Sequence, residues 1–100
     1  MKDIKVNKIG TVKTIMKYPL QAQSNVVQKV TMPKGYRILT VENLLPTICL
    51  FAEIDLGNDD FEDVQVIMYE ERQMLRGKLE YIGTVRTLDN RWFHVYHKLD

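Results

Sequence analysis

From residue 11 to the C-terminus, apolar residues recur at every second position or in short blocks rich in β-branched and aromatic side chains. No other feature constrains the fold as much. Successive side chains on extended backbone point to opposite faces, so a period of two gives a strand with one oily and one wet face, whereas a helix needs a period near 3.6. The pattern predicts an all-β fold: a small antiparallel β-sandwich or partly open barrel of about seven strands, with at most one short helical turn near residues 70–78.

The predicted strands cover residues 11–18, 25–31, 36–42, 47–55, 63–69, 79–86 and 91–98. Pro19 has no backbone N–H for a ladder and marks the end of the first. Met32-Pro33-Lys34-Gly35 sets a turn that predicts a hairpin between the second and third. The third reads as a central strand, with Arg37, Leu39 and Val41 on one face and Tyr36, Ile38 and Thr40 on the other. In the fourth, Ile48, Leu50, Ala52 and Ile54 face a core, and in the fifth Val64, Val66 and Met68 alternate against Gln65, Ile67 and Tyr69. Gly57, Asn58, Asp59 and Asp60 predict an exposed loop. The helical spacing of Glu71, Met74, Leu75 and Lys78 runs into Gly77, which limits that segment to one turn or a loop. The last two strands form a hairpin about Leu88, Asp89 and Asn90.

At 100 residues, 45% of them apolar and 27% charged, the chain reads as a single domain (1–100) with one core, residues 1–10 forming a flexible or edge-strand segment. A net charge of +1 gives no bulk attraction to nucleic acid or membrane. Cys49 is the lone cysteine, which excludes an intrachain disulfide and favours a reducing compartment. Neither a signal-peptide run nor a stretch of about 20 apolar residues is present, so a soluble, cytoplasmic protein is expected. A small domain without disulfides gains by burying surface in self-association, which predicts a dimer or tetramer.

Catalytic and metal chemistry find little footing. His94 and His97 lie three apart on a strand, so they face opposite sides of the sheet and cannot share an ion without a bulge. Cys49 sits in an apolar run, where a thiol acts as a small hydrophobe, and Ser24 lacks a nucleophile-elbow context. Asp55, Asn58, Asp59, Asp60, Glu62 and Asp63 lack the spacing of a calcium loop, and Glu70 and Glu71 diverge on extended backbone as surface charges. No Walker loop, Gly-x-Gly-x-x-Gly or Cys-x-x-Cys occurs, so no enzyme, cofactor or metal is expected. What remains is a set of basic and aromatic residues near strand ends: Lys17, Tyr18, Tyr36, Arg37, Tyr69, Arg72, Arg91, Trp92 and His94. Aromatic faces stack on bases while Arg and Lys neutralise phosphates, so such a set can hold a nucleotide without catalysis. The plainer alternative is half-buried strand aromatics flanked by solubilising charges.

Several blocks in order, Lys17-Tyr18-Pro19-Leu20, Met32-Pro33-Lys34-Gly35 through Ile38-Leu39-Thr40-Val41, Leu50-Phe51-Ala52, Tyr81-Ile82-Gly83-Thr84-Val85 and Trp92-Phe93-His94-Val95-Tyr96, resemble a family of small bacteriophage all-β domains. Where many relatives carry Thr-Gly-His after the fifth strand, this chain has Glu70-Glu71-Arg72, so no role of that histidine carries over. The resemblance implies a phage origin, and with it a place among small phage anti-defence proteins that act as sponges for cyclic nucleotide immune signals in the host cytoplasm. On that reading the partner is a cyclic dinucleotide or related nucleotide, held between subunits and not cleaved. The alternatives are a module that docks a structural or host protein, and a barrel that binds single-stranded nucleic acid; near-neutral charge weighs against the latter.

Overall fold

A computed structural model describes residues 12–100. The predicted N-terminal segment and Thr11 lie outside the described residues. The fold is an all-β sandwich of two open antiparallel sheets with no helix among the described residues. The strands are β1 (Lys13–Leu20), β2 (Gln28–Pro33), β3 (Arg37–Asn43), β4 (Ile48–Asp55), β5 (Phe61–Tyr69), β6 (Leu79–Arg86) and β7 (Trp92–Lys98). One sheet has the order β1-β4-β3 and the other β2-β5-β7-β6. No helix among the described residues is long and apolar enough to cross a membrane.

The core follows the period-two pattern. Ile48, Leu50, Ala52 and Ile54 of β4 meet Val64, Val66 and Met68 of β5 and Phe93 and Val95 of β7, all buried. No polar or charged residue is buried among the described residues, so this core asks for no internal hydrogen bonds. Cys49 is buried on the opposite face of β4, as an apolar strand position requires. The C-terminal half of β5 is covered on both faces, because Ile67 and Tyr69 are also buried. The segment between β5 and β6 is a run of turns beside that outer face: the Arg76 backbone N–H reaches the Tyr69 hydroxyl at 3.5 Å, and Gln73 Nε2 donates to Ser24 Oγ at 3.1 Å.

Five sequence expectations are corrected. The turn at Lys34-Gly35 exists, with Gly35 at φ +84°, but β2 and β3 lie in different sheets and form no hairpin. The Lys34 N–H donates to the Asp60 carbonyl at 2.9 Å and its carbonyl accepts from Asn58 Nδ2 at 2.9 Å, tying the turn to the β4–β5 loop. Second, β3 is an edge strand and β4 is the central one. Third, a register shift between Ile38 and Thr40 breaks the alternation of β3: buried Val41 opposes Leu50 and Ile38 opposes Ala52, so these two share the core face and Leu39 is the extra residue. Fourth, Pro19 and Pro33 lie inside β1 and β2. Both are edge strands, where one side of the backbone needs no donor. The second strand also begins later than its predicted start, since Asn25 sits at φ +65°.

The edges of the two sheets meet along β3 and β6. At one end the Asn43 amide donates to the Arg86 carbonyl at 2.7 Å. Further along, Gly83 lies against buried Val41: a Cβ at Gly83 would come 2.9 Å from Val41 Cγ1. β6 shifts register between Tyr81 and Gly83, as β3 does between Ile38 and Thr40. Beyond these paired bulges the seam opens.

Candidate functional site

The opening is a groove of about 430 Å³ lined by Tyr36, Arg37, Ile38, Leu39, Glu80, Tyr81, Ile82 and His97. Its origin is geometric. A bulge leaves its extra residue out of the ladder and turns the strand away, so Leu39 and Ile82 mark where β3 and β6 part. In β7 the core-facing series Phe93, Val95 continues to His97, and Glu80 is its neighbour on β6, so the apolar interior ends in a polar rim at this end.

Tyr36 and His97 fix that rim. Their rings pack edge to face, centroids 6.1 Å apart at 64°, with the Tyr36 hydroxyl 3.5 Å from His97 Nε2. His97 Nδ1 lies 3.7 Å from a Glu80 carboxylate oxygen. Burial first, then the negative charges of Glu62 and Glu80, raise the Tyr36 phenol above the ordinary tyrosine value of 10.0. The groove around Tyr36 is therefore aromatic and acidic. Arg37 stands at the lip with its side chain 70% exposed, loosely paired with Glu53 at 3.5 Å. Tyr81 borders the groove, but its ring packs on Tyr96, centroids 5.4 Å apart at 63°, on the outer face of the second sheet, so Tyr36 and His97 are the aromatic rings positioned at the groove before any ligand arrives.

Of the residues singled out from sequence, Tyr36 and Arg37 line this groove and the rest lie elsewhere. Lys17 and Tyr18 diverge on β1. Lys17 borders a shallow depression with Pro19, Leu44, Thr47 and Cys49, while Tyr18 packs against the core, where burial raises its phenol pKa. Tyr69, Arg72, Arg91, Trp92 and His94 belong to the end of β5, the β5–β6 segment and the start of β7, on the outer side of the second sheet or at its end. Tyr69 is buried, Trp92 lies under the Arg86 guanidinium at 5.6 Å, and Arg72 sits in the segment at φ +70°.

Two of these residues are already paired within the chain. Arg91 donates through Nε and Nη2 to the two Glu70 oxygens at 3.1 and 2.9 Å. That fork holds the Glu70 carboxyl below its ordinary range, with Ser24 adding a smaller effect. His94 Nε2 lies 2.6 Å from Glu71, its Nδ1 3.0 Å from Thr84 Oγ1, and that hydroxyl 2.5 Å from the Tyr81 hydroxyl. Glu70 and Glu71 are thus not idle surface charges, because together they clamp the β5–β6 segment to β7. The face-switching of His94 and His97 follows the strand spacing: His94 is outward and His97 is at the groove.

Glu80, Tyr81 and His97 are not among the site residues that the sequence predicts. Gly83 was the usable signal, since a glycine inside a strand marks a bulge or the close approach of another backbone. The acidic stretch from Asp55 to Asp63 is the end of β4, an ordinary polar loop and the start of β5: Asp55 accepts from the Gly57 N–H at 2.9 Å, Asn58 from the Asp60 N–H at 2.8 Å, and Asp63 from the Thr31 hydroxyl at 2.6 Å.

Fold and groove together define a small all-β sandwich with a preformed polar cleft where the edges of its sheets diverge. The chain belongs to the DUF7352 family, a domain of unknown function, whose model matches residues 11–100. No curated protein and no solved structure matches it.

Proposed function

We propose that this protein is a non-catalytic binding module, a phage-encoded sponge that sequesters a cyclic dinucleotide signal in the β3–β6 groove. The observation that carries this reading is the convergence of Tyr36, His97 and Arg37 on one cleft, two packed aromatic rings beside an exposed guanidinium. Aromatic faces take bases and a guanidinium at the lip takes a phosphate. A cleft of about 430 Å³ is within the size range of small-ligand sites and suits one nucleotide unit of the ligand. A cyclic dinucleotide has two such units, and a two-fold dimer presenting two grooves holds both.

Docking of another protein by strand addition is the weaker reading. Among the described residues the free edges carry Lys13, Lys17 and Pro19 on β1 and Lys29 and Pro33 on β2, the residues that keep sheet edges from pairing.

Isothermal titration against cyclic di- and trinucleotides tests the proposal, with the bound nucleotide recovered intact afterwards. Saturable heat at one nucleotide per dimer is expected. Silence from the whole panel, at protein concentrations that saturate a micromolar site, removes it.

A further inference from the structure

A sponge of this kind must accept particular bases, and the β6 side of the groove has the chemistry to choose among them. We infer that Glu80 reads the base edge and that the groove selects guanine over adenine; this rests on the nucleotide-binding reading above.

Charge is laid out unevenly along the groove. Arg37 stands on the β3 side, whereas across the groove lie the Glu80 carboxylate of β6 and the His97 imidazole of β7, with the Tyr36 hydroxyl against that imidazole. Glu62 is near enough to act on Tyr36 as well. An ionised carboxylate offers only acceptors, so the β6 side of the groove repels a phosphate and requires N–H donors from whatever enters. A nucleotide must therefore turn its base edge toward β6 and its phosphate toward Arg37.

Among the bases, guanine places a ring N–H and an exocyclic amine side by side, two parallel donors at the spacing of one carboxylate. The match is the same fork geometry that pairs Arg with Glu. Adenine presents one amine next to a bare ring nitrogen, whose lone pair would face the carboxylate. A site built around such a bond discriminates against the base lacking the donor, because that base covers the carboxylate from water without pairing it. Glu80 is free to turn toward an entering base, since its side chain is 68% exposed and its contact with His97 is a loose 3.7 Å.

The test compares cyclic di-GMP, cyclic di-IMP and cyclic di-AMP on wild-type protein and on Glu80→Gln. Inosine keeps the ring N–H and lacks the amine, so it counts the second bond. On the wild type, di-GMP should bind about tenfold or more tighter than di-IMP, with di-AMP weaker again. In E80Q the order should collapse, chiefly through loss of di-GMP affinity; circular dichroism and thermal unfolding check that this exposed substitution leaves the fold intact. Equal binding of guanine and adenine ligands, or a guanine preference that survives E80Q, overturns the inference and leaves the sponge reading standing. Absence of binding by every cyclic nucleotide overturns both.

Discussion

Gly83 of β6 and Val41 of β3 touch where the two sheets meet, so closely that a Cβ on Gly83 would lie 2.9 Å from the Val41 γ-methyl. The two strands are not hydrogen-bonded neighbours, and this contact helps set how near their edges come. Val41 is buried and β-branched, so its methyl has one favoured rotamer and little room to yield.

Gly83→Ala should therefore destabilise the protein by about 1–3 kcal/mol, the usual cost of overpacking. Adding Val41→Ala should recover part of the loss. Urea unfolding of the wild type, both single variants and the double variant gives the coupling energy directly. Additive effects of the two substitutions would mean that the contact does not set the spacing of the seam.

Acid should weaken the protein partly through its C-terminal half. The Glu70 carboxyl is held below its ordinary 4.5, chiefly by the Arg91 fork, and Asp100 below its ordinary 3.8, chiefly by Lys98 and then by the Lys78 backbone N–H. A carboxyl whose folded value is depressed binds its proton more readily when unfolded. Its contribution is whole above the ordinary value and is lost as pH falls through the lower, folded one. Stability should thus begin to fall near pH 4.5 and continue below it. Glu70→Gln should be less stable at neutral pH and show a flatter acid limb. Parallel limbs for wild type and variant, in urea midpoints from pH 7 to 3, would refute this role for the pair.

The Tyr36 phenol offers a spectroscopic view of the groove. It is raised by burial and by Glu62 and Glu80, and Tyr18 by burial alone, so ultraviolet titration should show two tyrosines ionising above 10.0, of which Tyr36 is the one lost in Tyr36→Phe. Because the folded value is the higher one, the associated stability is present below the ordinary value and is lost as pH rises through the folded value. Glu80→Gln removes one of the two charges and should move the midpoint down while leaving the burial contribution. An unchanged midpoint would mean that Glu80 does not face the phenol.

The predicted core survives in the structure because it depends only on local alternation. Ile48, Leu50, Ala52 and Ile54 read as a core face from spacing alone, as do Val64, Val66 and Met68, and all are buried. The closing hairpin about Leu88 to Asn90 was equally legible, with Asn90 at the φ of +66° that such a turn favours and the Thr87 N–H donating to the Arg91 carbonyl at 2.9 Å. The β2–β3 hairpin failed because a turn signal fixes a reversal of direction, while sheet membership depends on partners far along the chain: β2 pairs with β5 and β3 with β4.

The candidate site was the least legible part, since it is made by residues that touch only after folding. Tyr36 and His97 are separated by 61 positions, and Glu70 and Arg91 by 21. By itself the sequence determined that the chain forms strands, which faces of β4 and β5 are buried, and that the core is apolar, because side-chain alternation on extended backbone is a local property. Tertiary structure decided the rest: which edges adjoin, where the bulges part β3 from β6, and which charged side chains are spent on partners within the chain and which stand at the groove. Those outcomes depend on register between distant strands, which no short window of residues encodes.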